Sequence, residues 1–155
     1  MRGPPTHATV LNTTVLSNFA HVDSVELLVD LPRLVTVDAV QEELDDGAET
    51  HRYVEHALAV LGEEVPVVNP SGSAKEIEKN LLESLDPGEA QALAVAEVTD
   101  GMIVTDDGDA RTTAEQRGVD LTGSIGLLVR FVEDGHIPTE TADEYLKRWI
   151  DEAGF

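Results

Sequence analysis

Short apolar runs alternate with amphipathic stretches along the whole chain, and that alternation limits the fold more than any other feature. Val10-Leu11, Leu34-Val35-Thr36-Val37, Val65 to Val68, Met102-Ile103-Val104-Thr105 and Val119 to Leu121 are each too short for helices. They carry the near-continuous apolar character of strands buried on both faces. Between them lie segments with apolar residues at helical spacing, such as Val40 and Leu44, or Ile77, Leu81 and Leu85. Strands that alternate with helices predict a three-layer α/β/α domain around a central, mainly parallel sheet. The 155 residues, 41% of them hydrophobic, suffice for one domain with a real core. The expected organisation is a single domain over 1–155, with 1–8 (containing Gly3-Pro4-Pro5) a loose leader and 139–155 a C-terminal helix.

Punctuation refines the elements. Ser17 is predicted to cap a short helix through Val22, and Asp23 with Glu26 reads as a capping box. Asp38 and Ser73 read as caps, and a helix is predicted over Thr50–Leu61. Leu82 is placed on the buried face of its helix together with Ile77 and Leu81. Asp86-Pro87-Gly88-Glu89 combines a cap, a first-turn proline and a third-position glutamate, a strong helix start. The Ala-rich run after it implies that another backbone packs close.

One strand departs from the apolar pattern. After Val10-Leu11 the chain places Asn12-Thr13-Thr14 before returning to Val15-Leu16. In open α/β sheets the carboxyl ends of strands are where ligands collect. Asp106-Asp107 follows Met102–Thr105 at the equivalent place. Glu43 flanks the apolar face of Val40 and Leu44, and Glu89 opens the Ala-rich helix. Each has a plain alternative: Asp106 and Asp107 as helix caps, Glu89 as part of a capping box, Glu43 as a solvated side chain. Together they suggest carboxylates converging on one crevice, which repel each other unless a cation neutralises them. Hard ions such as Mg²⁺ or Mn²⁺ suit all-oxygen sites and promote phosphodiester hydrolysis.

Composition removes other chemistries. With no cysteine there is no disulfide and no thiolate metal site. No apolar run approaches a membrane span, and MRGPPTHATV lacks the apolar core of a signal peptide, so a cytoplasmic protein is expected. No HExxH pattern, Walker loop or Gly-x-Ser-x-Gly elbow occurs, and the five histidines read as surface or packing residues. Thirty-one acidic against ten basic residues give a net charge of −21, a composition that points to a haloarchaeal, high-salt cytoplasm. In molar salt the Debye length is about 3 Å, so this charge does not argue against a nucleic-acid substrate.

The order of these features resembles a PIN-domain nuclease, of the kind found as VapC-type toxins and their archaeal relatives. Asn12-Thr13-Thr14-Val15-Leu16-Ser17-Asn18-Phe19 resembles the family's first motif, and Val40-Gln41-Glu42-Glu43-Leu44 its second. Gly88-Glu89-Ala90-Gln91-Ala92-Leu93-Ala94-Val95-Ala96 and Thr105-Asp106-Asp107-Gly108-Asp109-Ala110-Arg111 resemble the third and fourth, and Gly118 to Leu128 the final strand and helix start. The resemblance implies a metal-dependent endoribonuclease acting on RNA. Glu43, Glu89 and Asp107 would be metal-site acids, joined by Asp106 or Asp109. Thr13 and Ser17 would orient ligands or water, with Thr105, Arg111, Thr122 and Ser124 lining the crevice. For Thr122 and Ser124 a plain helix-cap role is the alternative, and for Arg111 a surface ion pair. The resemblance also implies homodimers and an antitoxin partner. The C-terminal helix with Trp149 and Ile150 either offers a partner patch or docks on the core.

The departure is Asn12, which stands where the family pattern has its first aspartate. It offers one oxygen and no charge, so the chain is expected to be either a working nuclease or a degenerate PIN domain that binds RNA or protein without cutting.

Overall fold

The computed structural model describes residues 3–155. Five strands form one sheet: β1 (Thr9–Leu11), β2 (Leu34–Val37), β3 (Val67–Val68), β4 (Met102–Val104) and β5 (Asp120–Thr122). Their order is β3-β2-β1-β4-β5, and every pairing is parallel. Val10 and Leu11 point to opposite faces of β1 yet both are fully buried, so helices cover the sheet on both sides. This is the three-layer α/β/α arrangement that the alternating pattern predicts.

The helices are α1 (Thr13–His21), α2 (Glu26–Val29), α3 (Asp38–Ala48), α4 (Val54–Val60), α5 (Ser73–Leu81), α6 (Pro87–Val98), α7 (Gly108–Gln116), α8 (Ser124–Glu133) and α9 (Thr139–Glu152). Helix α6 is the central one: Ala90, Ala92, Leu93, Ala94 and Ala96 are fully buried, and small side chains let neighbours approach it closely. Gln91 ties α6 to two others, accepting the Ala39 N–H of α3 at 3.1 Å and donating to Glu78 of α5 at 3.2 Å. That tie sets α3, with Glu43, opposite the start of α6. Among the described residues no helix is long and apolar enough to cross a membrane.

Several local expectations are corrected. Helix α1 begins at Thr13, so Thr13 and Thr14 form its first turn rather than the end of a strand, and Ser17 is mid-helix rather than a cap. The reason is Asn12, whose extended backbone (φ −94°, ψ 169°) ends β1 one residue earlier. Asp23 caps nothing: it takes φ +56° in a turn and pairs with His56 at 3.0 Å, and α2 starts after Val25. Asp38 and Ser73 are the first residues of their helices, preceded by Val37 and Gly72 as caps. The helix expected over Thr50–Leu61 shortens to Val54–Val60. Leu82 is exposed, and Glu78 occupies the buried face instead, with Gln91 donating to one of its oxygens and Lys75 pairing with the other at 3.2 Å.

The segment read as a loose leader is anchored where it meets the sheet. His7 donates its N–H to Thr99 O at 2.6 Å, and Ala8 is fully buried. Its first two residues lie outside the described residues. At the other end, α9 docks on the core: Trp149 is fully buried edge-on against Phe19, and its indole N–H donates to Asn18 O at 2.7 Å. Only Ile150 of the anticipated pair is exposed.

Candidate active site

In the strand order, β1 has β2 on one side and β4 on the other, reached by crossovers in opposite directions. The crevice beyond the carboxyl ends of β1 and β4 is therefore the topological switch point of the sheet. Asn12 and Thr105 are the residues that leave these two strands. Asn12 Nδ2 donates to Thr105 Oγ1 at 3.0 Å, and the same hydroxyl accepts the Asp107 N–H at 3.1 Å. Asn12 is 2% exposed, and its Oδ1 is buried with no hydrogen-bond partner.

The acids enter from three helices. Glu43 of α3 is half-buried rather than solvated. One carboxylate oxygen accepts the Thr13 hydroxyl, and the other accepts the Gly88 N–H at 3.2 Å. A Cβ on Gly88 would stand 2.5 Å from that second oxygen, so the glycine is what lets the two helices meet here. Burial, opposed by the Thr13 hydrogen bond and reinforced by Asp86, pushes the Glu43 carboxyl above its usual range. Asp86 caps α6 by accepting the Glu89 N–H at 2.9 Å. Asp107 caps α7 in the same way, accepting the Ala110 N–H at 2.9 Å. Glu89 is pushed up to about 8 by burial and by Asp86 and Asp107, with which it shares hydrogen bonds. Both shifts have the same physical origin: partly buried carboxylates face each other without enough positive charge.

Asp86 therefore neighbours both Glu43 and Glu89, Glu89 also faces Asp107, and Asp86 is an acid that the sequence nominated only as a cap. Its signal was available, since i, i+3 spacing sets Asp86 on the same turn as Glu89. Asp106 turns away: its two oxygens accept the Ser124 N–H at 2.7 Å, the Ser124 hydroxyl at 2.5 Å and Asn18 Nδ2 at 3.1 Å. It thereby supplies the negative charge at the N-terminus of α8 that no side chain of that helix provides. Ser124 is its buried partner rather than a cap. Asp109 is exposed in the first turn of α7, and Ser17 lies a turn along α1 from Thr13. Arg111 Nη1 donates to Thr105 O at 3.0 Å, bracing the end of β4 rather than forming a surface ion pair. Thr122 ends β5, and its carbonyl accepts the Thr105 N–H at 2.9 Å.

The carboxylates of Glu43, Asp86, Glu89 and Asp107 offer oxygen donors only, the type that suits Mg²⁺ or Mn²⁺. The buried Asn12 Oδ1 without a partner is an oxygen that a hard cation could use. Among the described residues, no three His, Asp or Glu side chains already stand at ligand spacing around one point. Beside the cluster, a cavity of about 670 Å³ opens between α1, α7, α8 and residues 153–155.

A parallel sheet with acids gathered at its switch point is the design of a nuclease-type α/β domain. The family model for the PIN domain matches residues 8–155, and the chain belongs to that family. Two solved structures share its fold. VapBC2 from Rickettsia felis, solved bound to a DNA fragment from the promoter, aligns with a TM-score of 0.53 at 16% identity, over 75% of this chain and 98% of that one. PAE2754 from Pyrobaculum aerophilum aligns with a TM-score of 0.57, also at 16% identity, over 81% of this chain and 97% of that one. No curated protein sequence matches.

Proposed function

We propose that the chain is a metal-dependent endoribonuclease of the PIN type, with Mg²⁺ or Mn²⁺ held by Glu43, Glu89 and Asp107. The observation that carries this reading is the cluster of mutually repelling carboxylates at the switch point, with Glu89 pushed up to about 8. A divalent cation, when bound, would supply activation of water and stabilisation of charge on the phosphate. The chain's own residues do the rest. Thr13 and the Gly88 N–H hold Glu43 in one orientation. The cap that Asp107 forms on α7 fixes its carboxylate at the end of β4. Burial and the neighbouring Asp86 and Asp107 favour the protonated form of Glu89, and a bound cation would favour its carboxylate instead.

Asn12 would offer an uncharged oxygen where an acid would add charge, so a cation there would be held less tightly than with a carboxylate at that position. The second reading rests on the same residue. A carboxamide already engaged with Thr105 suits a domain that keeps the crevice for binding RNA or protein and does not cut. By resemblance, an antitoxin-type protein partner and a homodimer accompany the first reading.

The deciding experiment is cleavage of a labelled RNA pool in concentrated KCl with Mn²⁺. Wild type, Asp107→Asn and Asn12→Asp are compared, the asparagine at 107 being able to keep the helix cap. Cutting by wild type that disappears in Asp107→Asn establishes the nuclease. Silence from wild type with cutting gained in Asn12→Asp establishes the degenerate domain.

A further inference from the structure

The cavity beside the acid cluster has a composition unlike the cluster itself. Two acids reach its lining: Asp107, where the cavity meets the cluster, and Asp106, which spends its carboxylate on Ser124 and Asn18. Arg111 is the one basic residue in the lining, and one of its amino groups is bound to Thr105 O. A phosphate would find little to hold it there. Leu121, Ile125 and Phe155 supply the apolar wall instead. Ile125 and Phe155 are 46% and 42% exposed.

The position of Phe155 is built by the backbone. Gly154 takes φ +72°, a conformation that favours glycine, and folds the chain back so that the Phe155 N–H donates to Trp149 O at 3.0 Å. The ring then lies 5.8 Å from that of Trp149, tilted by 34°, with buried Trp149 behind it. Two glycines of the lining pack directly against neighbouring protein atoms. A Cβ at Gly126 would run into Thr122 Oγ1, and one at Gly123 would stand 2.6 Å from Asp106 Oδ1. The result is an open cavity with an aromatic wall on one side, Asn18 and Thr14 as polar edges, and Asp107 at its border with the acid cluster.

We infer that this cavity is a nucleobase subsite, in which Phe155 stacks an unpaired base of single-stranded RNA next to the phosphate held at the acid cluster. The assignment rests on the ribonuclease reading for its ligand class. Aromatic side chains stack bases without regard to sequence, and a base in a duplex is not available to them. Phe155 is thus a positioning residue for the substrate.

The test is titration of a short single-stranded RNA carrying a fluorescent adenine analogue, in concentrated KCl with Ca²⁺ in place of Mn²⁺, a hard cation that can neutralise the acids while binding is read apart from Mn²⁺-dependent cleavage. Quenching of the analogue is expected on binding to wild type. Phe155→Ala should weaken affinity roughly fivefold to a hundredfold and lose the quench, whereas Phe155→Tyr should keep both. Melting curves of both variants check that α9 stays docked. Wild-type affinity and quench in Phe155→Ala would overturn the subsite while leaving Asp107-dependent cleavage standing. Absence of any quench with wild type would also overturn it and would leave the cavity to an aromatic side chain of a protein partner. Quenching that depends on Phe155 in a chain that fails to cleave would keep the subsite and sink only the nuclease reading.

Discussion

The Gly88 N–H donates to Glu43 Oε1 at 3.2 Å across the contact between α3 and α6, and a Cβ at residue 88 would displace the Glu43 carboxylate from this place. Gly88→Ala places a methyl group against the end of a flexible glutamate, which can swing away. Alanine favours the helix by up to about 1 kcal/mol over glycine, so thermal stability should hold or rise slightly. Metal affinity, read by calorimetry with Mn²⁺, should fall because Glu43 leaves its place. A variant that binds Mn²⁺ as wild type does would remove Glu43 from the metal site.

Asn12→Asp adds a carboxylate at a 2% exposed position beside Thr105. The Thr105 hydroxyl can donate to it, which offsets part of the cost. The expected outcome is a lower melting temperature in EDTA at pH 8 and a larger rise with Mn²⁺ than wild type shows. Equal Mn²⁺-dependent shifts in both proteins would mean that residue 12 does not face the ion.

Glu89 determines a pH dependence whose sign follows from its shift to about 8. Between the ordinary glutamate value and that figure, the folded protein holds a proton that the unfolded chain has lost. Stability therefore falls as pH rises from about 5 to 8 in the absence of metal. Chemical denaturation across this window in EDTA should show the decline, and Glu89→Gln should flatten it. A stability that rises over the same window in wild type would contradict the carboxylate cluster.

Trp149 is fully buried and ties α9 to α1 through Asn18, the residue that also donates to Asp106. Trp149→Ala should cost about 3–5 kcal/mol in denaturant unfolding, as large aromatic truncations in cores do. RNA binding should fall with it, because Phe155 loses the ring behind it and Asn18 loses its anchor.

The sheet was legible because its strands carry their own signal. Leu34–Val37 and Met102–Val104 are apolar runs too short for anything but buried strands, and both-face burial leaves little choice of layer. The Asp86-Pro87-Gly88-Glu89 helix start was equally plain, since a cap, a proline and an acid act within one turn. By contrast, Asp23 and Ser17 have the right residue types for caps and do not cap. Asp23 finds His56 from a distant helix, and Ser17 is overtaken by a helix that the end of β1 starts earlier.

The candidate site divides along the same line. Local sequence placed acids at strand ends and helix starts, which is enough to nominate Glu43, Glu89 and Asp107. It could not say that Asp106 faces Ser124 while its neighbour Asp107 faces Glu89, because adjacent side chains diverge according to what packs on either side. Nor could it show that Asp86 raises both Glu43 and Glu89, or that a glycine turn brings Phe155 back over Trp149. Periodicity and capping are interactions within one or two turns, so the chain alone determined the elements and their order. Carboxylate repulsion, burial and stacking act between residues far apart in sequence, so only the tertiary structure decided which acids meet and what lies beside them.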